Sequence, residues 1–174
     1  MAMAEDWATL NGMAESASRS GRYDEAKDCY RRALADAQAR NDAHNGYYTM
    51  CNFASFLRLL DDYGEAEQLL KGALQLRHDH AALLAREPVS PLTDLERILV
   101  KQNRLPELEQ LFYADVEKMH GSFGRDSFEF KMSLMSLAKV YGTHLKDLEK
   151  CKRILEKFLI GQRTLNPSPV RWST

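Results

Sequence analysis

The sequence predicts an all-α protein built as an array of four antiparallel helix pairs, and three observations predict it. Two apolar markers recur together four times, their period stays near 42 residues, and helix breakers are scarce between them. Self-similarity at a fixed spacing is the signature of a repeat array, in which each unit buries an apolar face it cannot cover alone.

The first marker is a phrase. Tyr23-Asp24-Glu25-Ala26 through Arg32-Ala33-Leu34 returns as Tyr63-Gly64-Glu65-Ala66 through Gly72-Ala73-Leu74. Looser forms follow at Leu105-Pro106-Glu107-Leu108 and Leu148-Glu149-Lys150-Cys151. The anchors Ala26, Ala66, Leu108 and Cys151 therefore stand 40, 42 and 43 residues apart. The second marker runs ahead of each: Leu10, Met13, Ala14, Ala17; Met50, Phe53, Ala54, Leu57; Leu92, Leu95, Glu96, Leu99; and Leu134, Leu137, Ala138, Tyr141. This spacing draws one face of an α-helix. Glu96 alone misfits the small position. From Met13, Phe53, Leu95 and Leu137 the second anchor follows after 13, 13, 13 and 14 residues.

Local chemistry sets the boundaries. Gly21 supplies a left-handed residue to end the first helix, and Asp24 is placed to cap the second. Pro91 and Pro106 fall where a first helical turn accepts proline, Asp126-Ser127-Phe128-Glu129 has capping-box spacing, and Pro88 stops a long fourth helix. Helices are expected near 6–19, 24–42, 45–60, 64–86, 91–102, 106–120, 127–143 and 146–162. Ala14, Ala54 and Ala138 let the helices of a pair approach, while Ala26, Ala33, Ala66 and Ala73 let one pair stack on the next. Gly72 costs its helix about 1 kcal/mol relative to Ala, which close contact with the third repeat is expected to offset. The domain reading is one four-repeat unit over 1–162 and a proline-containing tail over 163–174.

Composition narrows the function classes. Apolar residues make up 44% of the 174, charged residues 28%, and the net charge is −1. That is globular composition without a general attraction for nucleic acid or anionic membranes. Cys29, Cys51 and Cys151 are widely spaced, odd in number and without a CxxC pair, which fits free thiols in a reducing compartment. With no leader pattern and no apolar run of membrane-spanning length, the expected location is cytoplasmic. No nucleotide, dinucleotide, hydrolase or zinc-protease motif occurs, so neither catalysis nor a cofactor is expected. His78 and His80, two apart on a helix, point away from each other and do not chelate together. Cys51 is a nucleophile candidate only if a base lies beside it.

With these residues in view, the pattern resembles the tetratricopeptide repeat, whose second helix reads A-x3-F. Ala26-x3-Tyr30, Ala66-x3-Leu70, Leu108-x3-Phe112 and Cys151-x3-Leu155 carry the likeness. The long period, Asn52-Phe53-Ala54, and the stretch from His120-Gly121 to Glu129 are similar to the kinesin-light-chain variety. The resemblance covers about residues 7–160 and implies a right-handed superhelix whose first helices line a concave groove. Counting from the apolar anchors, it implies inward rows Ala8, Tyr48, Ser90, Met132; Asn11, Cys51, Thr93, Met135; Glu15, Ser55, Arg97, Lys139; and Ser18, Arg58, Val100, Gly142.

The groove so drawn brings Arg58, Arg97 and Lys139 to one surface beside Tyr48, Met132 and Met135. This suits a protein or peptide partner offering an acidic or carboxyl-terminal segment with an apolar anchor. Asn52 matches one position of the carboxylate clamp found in cochaperone repeats, but Asn11 and Gly12 do not supply the basic partner that clamp needs. The expected function is an adaptor or scaffold. A nucleic-acid-reading helical repeat and a peptide-sensing regulator are the alternatives. At the other end, Ile154, Phe158 and Leu159 expose more apolar surface than one preceding pair covers, so self-association as a homodimer is expected there. The tail, with Leu165, Val170 and Trp172, is the competing lid.

Overall fold

In the computed structural model, which describes residues 6–87 and 90–163 with side chains as far as 156, the end of each helix explains the start of the next. The helices are α1 (Trp7–Arg19), α2 (Tyr23–Ala39), α3 (Ala43–Leu59), α4 (Tyr63–Asp79), α5 (Ala81–Leu84), α6 (Pro91–Lys101), α7 (Leu105–Phe123), α8 (Phe128–Val140) and α9 (Leu148–Arg163). A π-turn, Tyr141–Leu145, follows α8, and no strand occurs among the described residues.

One turn design is used four times. Gly21, Asn41, Asp61 and Asn103 each take a left-handed φ between 52° and 74°. The next N–H then returns to a carbonyl five residues back: Arg22 to Ala17 at 2.9 Å, Asp42 to Ala37 at 2.9 Å, Asp62 to Leu57 at 3.0 Å and Arg104 to Leu99 at 2.8 Å. These are Schellman ends, which satisfy carbonyls that a helix terminus leaves open. Gly21 behaves as its sequence predicts. Asn and Asp can stand in for glycine at the other three because their short polar side chains tolerate the left-handed region.

Caps hold several starts. Asp6 accepts from the N–H of Thr9 at 2.8 Å, Asp42 from Asn45 at 2.9 Å, and Ser127 from Phe130 at 3.2 Å. Asp24 is not a cap. The cap position of α2 is Arg22, whose carbonyl already accepts from Ala26 at 3.0 Å, so Asp24 lies inside the first turn. There its charge still opposes the helix dipole favourably. Likewise Ser127, and not Asp126, caps α8.

The expected single helix over 64–86 breaks at His80. The α4 ladder ends there, and the one-turn α5 starts from the His80 carbonyl, which accepts from Leu84 at 2.9 Å. The reason is burial: the break carries Leu84, fully buried, into a cluster with Tyr47, Cys51 and Ala73.

By contact density the chain divides into residues 1–98 and 99–174. In the first unit α1 packs on α2, α3 on α4 and α2 on α3. Ala14, Ala26, Ala33, Ala54, Ala66 and Ala73 are all fully buried, as close helix approach requires. Tyr30 stacks on Phe53 with ring centroids 5.2 Å apart, fastening α2 to α3. Behind it Thr49 accepts from Trp7 Nε1 at 2.6 Å and Asn11 Nδ2 at 3.3 Å and donates to the Asn45 carbonyl at 2.9 Å, fastening α1 to α3. Glu96, the misfit at the small position, is buried as well.

Gly72 does not face the third repeat. A Cβ there would lie 3.3 Å from the Sδ of Met50, on α3 of its own pair. Because the thioether can swing aside, Gly72→Ala is expected to recover helix propensity and stabilise the protein by about 0.5–1 kcal/mol. Urea denaturation would read this as a higher midpoint at unchanged slope.

In the second unit α8 packs between α7 and α9 over Leu108, Phe112, Met119, Leu134, Leu137 and Val140. The chain does not stay α-helical to 143. Thr143 Oγ1 donates to the Lys139 carbonyl at 2.7 Å, competing with the helix ladder, as hydroxyl back-bonding does. The turn loosens to π geometry and ends at Lys146 with φ 56°. Asp147 then caps α9, accepting from the Lys150 N–H at 2.9 Å.

Candidate functional site

In residues 1–98 the predicted groove residues Tyr48, Ser55, Arg58 and Arg97 have intramolecular partners. Tyr48 donates its hydroxyl to Glu87, which raises its pKa above the ordinary tyrosine value, and His44 approaches the same carboxylate at 3.4 Å. Asp94 gathers three groups: Ser55 Oγ donates at 2.7 Å, Arg97 Nη1 donates at 2.9 Å, and Arg58 Nε lies at 3.2 Å. The Arg58 approach is an ion pair whose N–H points off the oxygen, leaving that donor without a hydrogen bond. Two cations thus share one anion, so this patch is less positive than two free arginines. Arg97 keeps 59% of its side chain exposed against 27% for Arg58, and Asn52 is half-buried.

Two groove assignments change. Cys51 lies in the core with Tyr47, Ala73 and Leu84, where burial first, and Asp94 second, push its thiol up to about 12. At neutral pH it is a protonated packing group and no nucleophile. Asn11 is also buried, held by Thr49 and the Trp7 carbonyl. Cys151 is only half-buried, unlike Cys29 and Cys51, with its Sγ 3.6 Å from where a Cβ on Gly142 would lie. Iodoacetamide at pH 8 should therefore label Cys151 first, and Cys29 and Cys51 only on unfolding. Peptide mapping by mass spectrometry checks the order.

In residues 99–174 the groove residues of α8 are open. Met132 and Met135 are 49% and 40% exposed, and Lys139, one turn on, is exposed too. Of the predicted terminal face, Ile154 is half-buried, while the side chains of Phe158 and Leu159 and the whole tail from 164 lie outside the described residues.

Another side of α8 opens onto a cavity of about 650 Å³ walled by α7, α8 and α9. Val116, Leu134, Leu137 and Ile154 supply its apolar surface, with the rings of Tyr113 and Phe130. Charge is one-sided: Arg125, Lys131, Lys150 and Arg153 line it against the single carboxylate of Glu117 among the described residues, with the His120 ring beside them. One end is closed by a bonded group. Tyr141 donates to Glu109 at 2.7 Å, Lys150 Nζ donates to the same oxygen at 3.0 Å, and that ammonium lies 5.1 Å from the Tyr141 ring centre. The bond from Tyr141, then that from Lys150, holds the Glu109 carboxyl below the usual carboxylate range. Sequence reading missed this cavity because its shape depends on how α9 leaves the π-turn. Among the described residues no cluster of three His, Cys, Asp or Glu could hold a metal, and no helix is long and apolar enough to cross a membrane.

Set beside known proteins, residues 7–79 match the tetratricopeptide repeat family model. Among solved structures, the chain is similar to a putative kinesin light chain of Podosopora anserina with nearly identical TPR-like repeats. The TM-score is 0.61 at 16% identity, over 93% of this chain and 77% of that one. A single-residue variant of that same protein gives the same figures. BtubC (BKLC) from P. vanneervenii follows with a TM-score of 0.56 and 18% identity, over 94% of this chain and 65% of that one. No curated protein matches. The likeness to tetratricopeptide repeats of the kinesin-light-chain kind, read from the anchors, is borne out, and at these identities it establishes the fold.

Proposed function

We propose that the chain is a non-enzymatic module that holds a protein or peptide through the first helices of its repeats. Folds of this class commonly serve protein interaction. The observation that carries the reading here is the exposed pair Met132 and Met135 with Lys139 beside them on α8. Soft, adaptable methionines next to a cation suit an apolar anchor flanked by a carboxylate. Tyr48, Asn52, Arg58 and Arg97 on α3 and α6 are the corresponding contacts in the first unit. Arg97 is the most accessible of these: it too is bonded to Asp94, but it keeps far more of its side chain exposed than Arg58, while Tyr48 is bonded to Glu87. The buried, protonated Cys51 removes the one nucleophile candidate and favours a binding role.

Affinity capture with the immobilised full chain tests the proposal. Proteins retained by the native sequence should be lost by the double variant Met135→Glu, Lys139→Glu and kept by Arg32→Glu on α2. Substitutions at such exposed positions change stability by about 0.5 kcal/mol or less, so folding serves as the control. Equal retention by both variants would remove the first-helix surface from consideration.

A further inference from the structure

We propose that the cavity between α7, α8 and α9 is a binding site for a small amphiphilic anion: a carboxylate, sulfonate or phosphate carried on an aliphatic or aromatic body. It is distinct from the protein-binding surface: Phe130, Leu134 and Leu137 of α8 line the cavity, Met132, Met135 and Lys139 do not, and Lys131, one turn before Met135, stands at the border. Its volume of about 650 Å³ falls within the range of roughly 300–1,000 Å³ typical of small-molecule sites, which bundles form between their helices.

Charge and apolarity together define the ligand. Arg125, Lys131 and Arg153 line the cavity without a carboxylate in ion-pairing reach among the described residues. Cations gathered around an apolar recess focus a positive potential into it, where it is screened less than in open water. Guanidinium groups are suited to oxyanions through paired N–H donors. A neutral ligand would leave these three charges uncompensated. A bare inorganic anion would leave Tyr113, Phe130 and Ile154, the lining residues that keep exposed apolar surface, facing water, at a cost of about 25 cal/mol per Å² of apolar surface not covered. An acid head on an apolar body satisfies both walls at once. Lys150 is already committed to Glu109, so it shapes the cavity's end and leaves head-group binding to the other three.

The probe is 8-anilinonaphthalene-1-sulfonate, whose fluorescence rises on leaving water, titrated into the full chain. One saturable site is expected. Dodecanoate should displace the dye, dodecyltrimethylammonium, with the same chain and opposite charge, should not, and inorganic phosphate should require a far higher concentration than dodecanoate. Arg125→Glu with Arg153→Glu, neither of them on α8, should weaken the dye about tenfold or more while circular dichroism and the thermal midpoint stay as in the native protein. Dye binding unchanged in that variant, or equal displacement by the cationic amphiphile, would overturn the inference by reducing the cavity to a non-specific apolar surface. Dye binding seen only in a full-length Trp172→Asp variant would overturn it in favour of the chain's own tail as occupant. Neither failure touches the protein-binding proposal, whose variants, at Met135 and Lys139, are not part of the cavity lining.

Discussion

Phe53→Ala should destabilise the protein by roughly 3–5 kcal/mol, the cost of removing a large aromatic from a core that cannot collapse around the space. Phe53 is fully buried and stacks on Tyr30, which also packs against Phe56. The substitution therefore empties the junction between the first two pairs as well as the interior of one. Single domains are stable by only about 5–15 kcal/mol, so the loss is a large share of the total. Chemical denaturation followed by circular dichroism should show the midpoint fall. In a repeat architecture, stability is a sum of unit and neighbour terms, so the transition should also broaden as residues 1–98 unfold ahead of the rest. A change below about 1 kcal/mol would mean that the Tyr30–Phe53 contact does not join the repeats.

Thr49→Val should cost about 1–3 kcal/mol, although the two side chains have nearly the same shape. Thr49 is fully buried and its hydroxyl is the shared partner of Trp7, Asn11 and the Asn45 carbonyl. A methyl group in its place strands the indole N–H and one N–H of the Asn11 amide, which keeps its bond to the Trp7 carbonyl and whose Oδ1 already lacks a partner. The distinguishing observable is the fluorescence of Trp7: its emission should change in the native state of Thr49→Val, ahead of unfolding. Thr49→Ser, which keeps the hydroxyl, should restore most of the stability. If Ser and Val variants lose equal amounts, the lost methyl packing, and not the hydrogen-bond junction, accounts for the effect.

The contrast between these two residues shows what sequence could reveal. Phe53 belongs to a marker that recurs because burial imposes a helical period, and a period can be counted. The alanines at 14, 26, 54 and 66 were legible for the same reason. Thr49 carries no such signal: its bonds run to residues 38 and 42 positions away, and a hydroxyl looks the same in water and in a core. The left-handed turns were half legible. Gly21 announces itself, whereas Asn41, Asp61 and Asn103 are recognised only when aligned beneath it. His80 breaks a pattern that periodicity extends to 86, because the demand of the Leu84 cluster outweighs local propensity. On the candidate site, the cations of the first helices could be placed from spacing, but Asp94, three residues before Arg97, could not be seen to neutralise them until α6 was set against α3. The cavity beside α9 depends on a π-turn for which sequence offers no dependable sign.

Site-specific photo-crosslinking tests the central claim, that the first helices hold the partner, most directly. A benzophenone amino acid is placed at Met135 on α8 in one preparation and at Ala114, an exposed position on α7, in another. Each is irradiated with the proteins captured by the native chain. Adducts from position 135, suppressed by excess native protein, with position 114 silent, are the predicted result. Adducts from 114 with none from 135 would contradict it and move the interaction to the second helices.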